Sequence, residues 1–446
     1  MLSSTEEQRR STIFSIARGA ALTVGITVGG AAAGYGAQLL FARWMGASAF
    51  GIYVYVWSWT SLLAVPATLG LPSALLRFIP QYTSEGNLAG LRGILRCSVF
   101  AVLGCGALVA IAGSVISLWS SANHTTTLAL SLALCALPLI TLATLLSEGS
   151  RALGRVILAY APYQLLRPCV LTLAAAAIVL ASGRLGVFSA LAATFAAVAV
   201  ALAIQGYAFR RILPAQLNRV APASNPKLWL HVALPLGAAA ALSAGLDQAP
   251  TVIIGLLLKP SDVSIYYVAS RTATLISFVL LGVNALAAPV FSSLHWRNDR
   301  SELERLVGRL SHLIFWPSVA LALCICVFAR PLLRLFGPDF TAGRPVLLVL
   351  VAGQLVNAGA GSVGYLLQMT GHQLANLNVL IASALINVTL LLILVPLMGC
   401  IGAAIASALT TSLWNLWLHM LVTRRLGVHP SIVFPLLRTM RYGDRK

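Results

Sequence analysis

Three ionisable side chains stand inside long apolar stretches of the sequence. They are Asp247, Arg271 and Arg167. A charge near the centre of a bilayer costs about 2.5–3.5 kcal/mol on insertion scales, so each is a candidate for a functional role. Guanidinium groups match diphosphate oxygens bidentately, and a carboxylate can take up a proton or a cation. These side chains therefore indicate anion binding and ion coupling as the chemistry to look for.

Asp247 is the candidate for coupling or gating. Ser243 and Thr251 stand four residues before and after it, so all three share one helical face. In a water-filled cavity this carboxylate could take up a proton or pair with an arginine, and so bias which side of the protein is open. A structural polar contact between helices explains the pattern equally well, and both interpretations stay open.

Two arginines follow tyrosines at helical spacing. Arg271 shares a face with Tyr267, and Arg167 shares one with Tyr163. The functional interpretation is a central cavity in which the arginines bind phosphate and the tyrosines stack on sugar rings. The alternative is snorkelling, because both arginines stand close enough to a span end for the charge to reach lipid headgroups.

Four further polar residues are weaker candidates for the same cavity. Asn357 and Asn387 lie in spans, where hydrogen bonding between helices is the expected role and contact with sugar hydroxyls the alternative. Arg43 and Arg77 stand at opposite ends of the first predicted hairpin, where anchoring at the membrane interface is the expected role.

The composition shows which elements must position these side chains. The chain has 446 residues, of which 59% are hydrophobic and 9% charged, and its mean hydropathy is +0.89. Soluble domains average about 25% charged residues, so lipid must surround most of this chain. The apolar runs predict an all-α polytopic membrane protein with about twelve spans: 19–41, 50–76, 94–118, 127–147, 159–181, 186–208, 231–258, 264–292, 310–329, 345–367, 374–396 and 399–422.

The basic residues predict the orientation. With the N-terminus inside, 22 of the 30 Lys and Arg residues fall in cytoplasmic segments, and only six fall outside. Such a bias places both termini in the cytoplasm. The net charge of +19 therefore reflects topology and not a nucleic-acid interface.

An internal repeat divides the spans into two sets of six. Ile265 and Tyr266 stand 213 positions after Ile52 and Tyr53, and Gly399 stands 213 positions after Gly186. Six is an even number, so the halves share one orientation, which is a parallel repeat. The predicted organisation is an N-terminal lobe (1–208), a basic cytoplasmic connector (209–230), a C-terminal lobe (231–423) and a basic cytoplasmic tail (424–446).

The order of several motifs resembles one superfamily. "LLFARWMGASAFGIYVYVWSW" (39–59), "LLRLFGPDFTAGRPVLLVL" (332–350) and "INVTLLLILVPLMGCIGAAIASAL" (386–409) are similar to segments of polysaccharide-type flippases of the multidrug/oligosaccharidyl-lipid/polysaccharide (MOP) exporters. The resemblance implies a V-shaped, two-lobed fold like that of MATE transporters. Lipid II flippases resemble it too, but they have two further helices and arginines in their first helices, whereas 19–41 is uncharged.

The function that this resemblance implies is transport and not catalysis. The substrate would be an undecaprenyl-pyrophosphate-linked oligosaccharide, flipped across the bacterial inner membrane for surface or exopolysaccharide assembly. Membrane lipids and the polysaccharide polymerase or export machinery would be its partners. No Walker lysine motif occurs, so we expect no ATP site and no other cofactor, with a proton or cation as the coupling agent. Export of drugs or other lipids is the alternative, and a membrane-embedded polymerase or ligase is a third, weaker one.

Overall fold

The structure is a computed structural model that describes residues 2–119, 124–296, 300–371 and 373–427. Within those ranges all regular elements are helical, as predicted. Most of the predicted basic tail, from residue 428 onward, lies outside them. The first nine α-helices are α1 (Leu2–Ala67), α2 (Leu71–Ser84), α3 (Leu88–Trp119), α4 (His124–Leu134), α5 (Leu137–Ala152), α6 (Val156–Ala161), α7 (Arg167–Ser182), α8 (Val187–Ile212) and α9 (Pro226–Leu257). The others are α10 (Pro260–Thr274), α11 (Ser277–Trp296), α12 (Arg300–Val327), α13 (Ala329–Arg334), α14 (Arg344–Ala360), α15 (Val363–Met369) and α16 (Gln373–Leu426).

Helix α1 folds back on itself at Gly46. This residue has φ 75° and ψ 168°, which no helix allows and which glycine adopts without steric cost. On either side of it, the rings of Phe41 and Tyr53 lie 5.4 Å apart between centroids. Twelve residues of straight helix would separate them by about 18 Å along the axis. The predicted corner of the first hairpin is therefore present.

Helix α16 is a second hairpin of the same kind. Gly399 has φ 60° and ψ −138°. Asn387 Nδ2 donates a hydrogen bond to Thr410 Oγ1 across it, at 3.1 Å, although 23 residues of straight helix would span about 34 Å. A side chain at Gly402 would overlap the carbonyl oxygen of Leu394, so the two arms touch at backbone distance.

The membrane-spanning helices match the predicted spans in position. In the described part of the chain, nine helices are long and apolar enough to cross a bilayer, or ten if the bent pair Pro260–Thr274 and Ser277–Asn284 is one span. Two of the nine, Gly25–Ala67 and Leu374–Leu426, are the hairpins, and each covers most of two predicted spans. This is a multi-pass membrane protein, and its total of twelve spans stays a prediction.

Several predicted spans are divided where the sequence suggested continuity, among them 50–76, 264–292 and 345–367. The span predicted for 50–76 ends at Ala67, and α2 starts at Leu71 after a turn. Gly70 in this turn has φ 72° and meets the backbone of Gly237 so closely that neither has room for a side chain. Pro66 and Pro72 flank the turn, and they were the local signal for it.

Contacts group the chain into two compact units, Met1–Val252 and Ile253–Lys446, and the division falls within α9. The connector and most of α9 pack with the first unit. Trp229 Nε1 donates to the Tyr82 hydroxyl at 3.0 Å, and the Ala223 amide donates to the Ala89 carbonyl at 3.0 Å. The predicted lobe boundary at residue 231 describes the sequence repeat, and it stays a prediction.

The repeat is visible in what each unit buries. Ser98 and Ser311, which are 213 positions apart, are 0% and 2% exposed, and Ile94 and Val307 are equally buried. Tyr53 bonds Thr194 in the first unit. Its counterpart Tyr266, at the same offset, bonds Ser407 in the second.

Candidate substrate-binding site

A π-helical turn, Pro162–Leu166, separates α6 from α7 in the first unit. Pro168 has no N–H to donate to the carbonyl of Gln164, so the regular α-helical ladder is interrupted at this point. The Arg167 amide instead donates to the Pro162 carbonyl, five residues back. A Cβ atom at Gly30 would lie 2.6 Å from the backbone carbonyl oxygen of Gln164, so α1 approaches this turn closely. Such π-turns are frequent at functional sites.

This turn places Arg167 between two aromatic rings. The guanidinium carbon lies 4.7 Å from the centroid of the Tyr163 ring and 4.9 Å from that of Trp57 on α1. Cation–π contacts hold the charge in place without neutralising it. Arg167 Nε is buried and has no acceptor among the residues that the structure describes. We refer to Trp57, Tyr163 and Arg167 as the arginine–aromatic cluster.

A cavity of about 420 Å³ adjoins the cluster through Tyr163. It lies within the first unit and has polar groups on several walls. Its lining includes Ser61 and Thr68 of α1 and the following turn, Ser73 of α2, and Thr144, Glu148 and Arg151 of α5. Hydroxyl, carboxylate and guanidinium groups around one space can hydrogen-bond a hydrated, polar substrate.

Glu148 is a cavity residue that the sequence analysis missed. Its Oε2 lies 3.1 Å from Arg151 Nη1, and its side chain is 23% exposed. Gln205 on α8 is fully buried and donates to Ser147 Oγ at 2.9 Å, which fixes the turn of α5 that carries Glu148. The residue follows the predicted span 127–147 directly. A carboxylate and an arginine at a span end look like ordinary interfacial residues, so nothing in the sequence marked Glu148 as a cavity residue.

The second unit has an arginine–tyrosine pair of its own. Arg271 lies in the last turn of α10, and its guanidinium carbon is 5.0 Å from the centroid of the Tyr267 ring. Both side chains are half-buried. The two residues therefore share one helical face, as the spacing predicted, and their assignment to substrate binding stays a prediction.

The two asparagines form hydrogen bonds between helices. Asn357 Oδ1 accepts from Asn415 Nδ2 at 3.0 Å, which links α14 to α16. Asn387 donates to Thr410 across the α16 hairpin, and its buried Oδ1 has no donor within the described ranges. Both contacts join helical segments, and a role of these asparagines in binding sugar stays a prediction.

The remaining candidates lie on exposed surface. Asp247 is exposed on α9, where Gln248 Nε2 donates to its Oδ2 at 2.6 Å. Arg43 is exposed on α1, three residues before the Gly46 corner, and Arg77 is exposed on α2 beside Phe78, 5.7 Å from the ring centroid. The structure thus brings Arg167 and Tyr163 together in one unit, and Arg271 and Tyr267 together in the other.

Two family models match the chain. The model described as "Polysaccharide biosynthesis protein" matches residues 16–295, more than half of the chain, and the model described as "MatE" matches residues 235–393. A curated relative from Haloferax volcanii, "Probable low-salt glycan biosynthesis flippase Agl15", is 27% identical over 172 residues. That match covers 37% of this chain and 35% of the relative, so the chain matches about a third of the relative's length.

Solved structures of transporters share the fold. An inward-facing multidrug resistance MATE family transporter of the MOP superfamily has a TM-score of 0.72 at 15% identity, covering 88% of this chain and 94% of its own. The lipid II flippase MurJ in an inward closed conformation has a TM-score of 0.71 at 15% identity, with coverage of 95% and 93%. A MOP superfamily transporter from Pyrococcus furiosus scores 0.63 at 16% identity, with coverage of 92% and 96%. The predicted resemblance is confirmed: the chain belongs to the polysaccharide biosynthesis protein family and has the fold of the MOP superfamily.

Proposed function

We propose that this protein flips a lipid-linked oligosaccharide, with an undecaprenyl-pyrophosphate carrier, across a bacterial inner membrane by alternating access. The membership of the polysaccharide biosynthesis family supports a glycan-related substrate. The name of the Haloferax relative, which includes the words glycan biosynthesis flippase, supports the same class. Because the match covers only part of that relative, the substrate is our inference.

The observation that carries the proposal is the arginine–aromatic cluster. A diphosphate oxygen would supply the acceptor that the buried Nε of Arg167 lacks among the described residues. Trp57 and Tyr163 each stack on Arg167 with one face, and the opposite face of each ring is the flat apolar kind of surface that sugar rings use. The neighbouring hydroxyls of the cavity can bind sugar hydroxyls. One site therefore has groups for both chemical parts of such a substrate.

Coupling to a proton or a cation, without ATP or another cofactor, is part of the proposal. Asp247 is the carboxylate predicted for this role, and Glu148 in the cavity is a second candidate. Glu148 is better placed to sense the substrate, because it lies in the same space as Tyr163. We propose that protonation of a carboxylate changes the balance of charge in the cavity and so the preferred conformation. The proposed role is transport alone, without a catalytic step.

The orientation follows from the charge bias and is part of the proposal too. With both termini in the cytoplasm, Arg151 and Arg155 belong to a cytoplasmic segment, and the 420 Å³ cavity lies at the cytoplasmic end of the first unit. A substrate assembled on the cytoplasmic leaflet would enter there. The partners would be membrane lipids and the polymerase or export machinery that uses the flipped product.

A second candidate function, export of cationic drugs, is favoured by one observation. Glu148 places an acidic group on the wall of the cavity, where it could bind an organic cation. Arg151 lies 3.1 Å from it and opposes such binding. Arg151 on the cavity wall, and Arg167 stacked on the cavity residue Tyr163, favour an anionic substrate instead.

Deletion of the gene in its own host tests the proposal. We expect lipid-linked repeat units to accumulate on the cytoplasmic leaflet, while sensitivity to cationic drugs stays unchanged. The location of the units is measured by their accessibility to a membrane-impermeant glycosidase in sealed vesicles of known sidedness. Repeat units that still reach the outer leaflet, with a gain in drug sensitivity, would favour the exporter.

A further inference from the structure

We propose that a groove on the first unit, distinct from the cavity above, binds an anionic phospholipid of the cytoplasmic leaflet. The groove has a volume of about 570 Å³ and runs between α3 and α8, with α5 as its floor. We call it the α3–α8 groove. Its lining includes Arg92, Arg96 and Arg210 at one end and apolar residues such as Val99, Leu142 and Leu202.

The groove is amphipathic along its length. Arg92 and Arg96 lie near the start of α3, and Arg210 lies at the end of α8, so the three arginines stand at the same end. One to three helical turns further in, the walls are apolar, as at Val99 and Leu202. No acidic side chain lines the groove in the described part of the chain. A negatively charged headgroup with an apolar chain has the complementary shape and charge.

Helix α5 separates the groove from the polar cavity. Thr144 and Glu148, one helical turn apart, face the cavity, whereas Leu142, Leu145 and Leu146 face the groove. A lipid in the groove would therefore lie against the back of the helix that carries Glu148. It would support the position of α5 without contacting the cavity.

The groove opens toward the surrounding membrane. Phe100 and Tyr207 on its rim are 64% and 62% exposed. On α8, Ala203 and Gly206 keep the space clear, because a Cβ at position 206 would meet no atom closer than 3.8 Å. Arg92 Nη1 donates a hydrogen bond to the Val220 carbonyl. Arg96 and Arg210 are both exposed, so they are the more adaptable contacts for a phosphate.

The cytoplasmic leaflet is the side on which such a lipid would be found. All three arginines belong to segments that the charge bias places in the cytoplasm. Basic pockets between membrane helices on that side are typical binding sites for anionic headgroups, and each arginine contributes about fivefold in affinity. This assignment does not depend on which substrate the protein moves.

The test uses the full-length protein in nanodiscs of phosphatidylcholine, to which phosphatidylglycerol is added. Native mass spectrometry measures the number of phosphatidylglycerol molecules that stay bound. The double variant Arg96→Gln/Arg210→Gln should lose one tightly bound phosphatidylglycerol, with an affinity loss on the order of 20-fold. The control Arg219→Gln removes a nearby charge outside the groove and should retain the lipid.

A second pair of variants tests the apolar part. Gly206→Leu fills the groove and should displace the same lipid, whereas Ile204→Trp, on the neighbouring exposed face, should not. Equal retention in all variants would overturn the proposal. So would displacement of phosphatidylglycerol by polyprenyl phosphate at equal concentration, because the groove would then belong to an isoprenoid chain.

Discussion

The hydroxyl of Tyr53 lies 3.0 Å from Thr194 Oγ1, and both residues are buried. The Thr194 hydroxyl donates a hydrogen bond to the Ala190 carbonyl, so Tyr53 is the donor in the bond between Tyr53 and Thr194. The pair closes the first hairpin onto α8, across 141 residues of sequence. Tyr266 and Ser407 repeat the arrangement at 3.0 Å, also across 141 residues, in the second unit. The sequence repeat is therefore a repeat of specific contacts.

This hydrogen bond should contribute measurably to the stability of each unit. In a double-mutant cycle of Tyr53→Phe and Thr194→Val, we expect a coupling free energy of about 0.6 kcal/mol and at most about 1.7 kcal/mol, the range for such bonds in membranes. Reversible unfolding in mixed micelles measures it.

The second unit supplies the matched comparison. A cycle of Tyr266→Phe and Ser407→Ala should give a coupling of the same sign and similar size. Additive effects in both cycles would mean that the shared geometry contributes nothing to stability.

The close approach of α1 to the π-turn predicts a strong effect at one glycine. Gly30→Ala would place a methyl group 2.6 Å from the backbone carbonyl oxygen of Gln164. The turn that positions Arg167 must then shift. We expect reduced transport and a shift in the fluorescence of Trp57, measured in a variant in which Trp57 is the only tryptophan.

Gly34→Ala is the control in the same helix. A side chain at position 34 would meet nothing within 4 Å, and alanine is the better helix former by about 1 kcal/mol. Transport should stay unchanged. If the two variants behave alike, the packing at Gly30 does not position the cluster.

Two carboxylates can be compared as coupling groups. Glu148→Gln removes the charge in the cavity and leaves Arg151 without its ion-pair partner. We expect it to abolish the dependence of transport on a proton gradient in proteoliposomes. Asp247→Asn, on the exposed face of α9, should have the smaller effect. The opposite order would return the coupling role to Asp247.

The arginine of the second unit should matter through its charge and its stacking. Arg271→Gln should lower transport about tenfold or more, since a charge-assisted bond to phosphate contributes about 1.5–3 kcal/mol. Arg271→Lys should retain part of the activity, because lysine keeps the charge but loses the planar contact with Tyr267. Transport assays in vesicles measure both, with Arg330→Gln as a control at an exposed arginine of the same unit. Full activity of Arg271→Gln would remove this residue from the site.

Local patterns made much of the fold predictable. The offset between Tyr53 and Tyr266 predicted the repeat, and Gly46 marked the first corner. The partners of those tyrosines were not predictable, because Thr194 and Ser407 are 141 residues away and are not distinguished from other hydroxyls in apolar helices.

The site was predictable in part. Tyr163 and Arg167 share a helical face, so their contact followed from spacing. The contribution of Trp57 comes from a different helix and needed the fold. Glu148 was missed because residues at a span end are usually interfacial, and the packing of its helical turn against Gln205 of α8 is a tertiary property.

The most direct test of the account is transport of a defined substrate by purified protein in proteoliposomes. A fluorescent undecaprenyl-pyrophosphate oligosaccharide is placed in both leaflets, and a membrane-impermeant quencher reports its movement. We predict that the wild-type protein moves this lipid, that Arg167→Gln slows the movement about tenfold or more, and that Arg184→Gln, an exposed arginine outside the site, does not. Movement at the rate of empty liposomes with the wild-type protein, or equal rates for Arg167→Gln and wild type, would contradict the account.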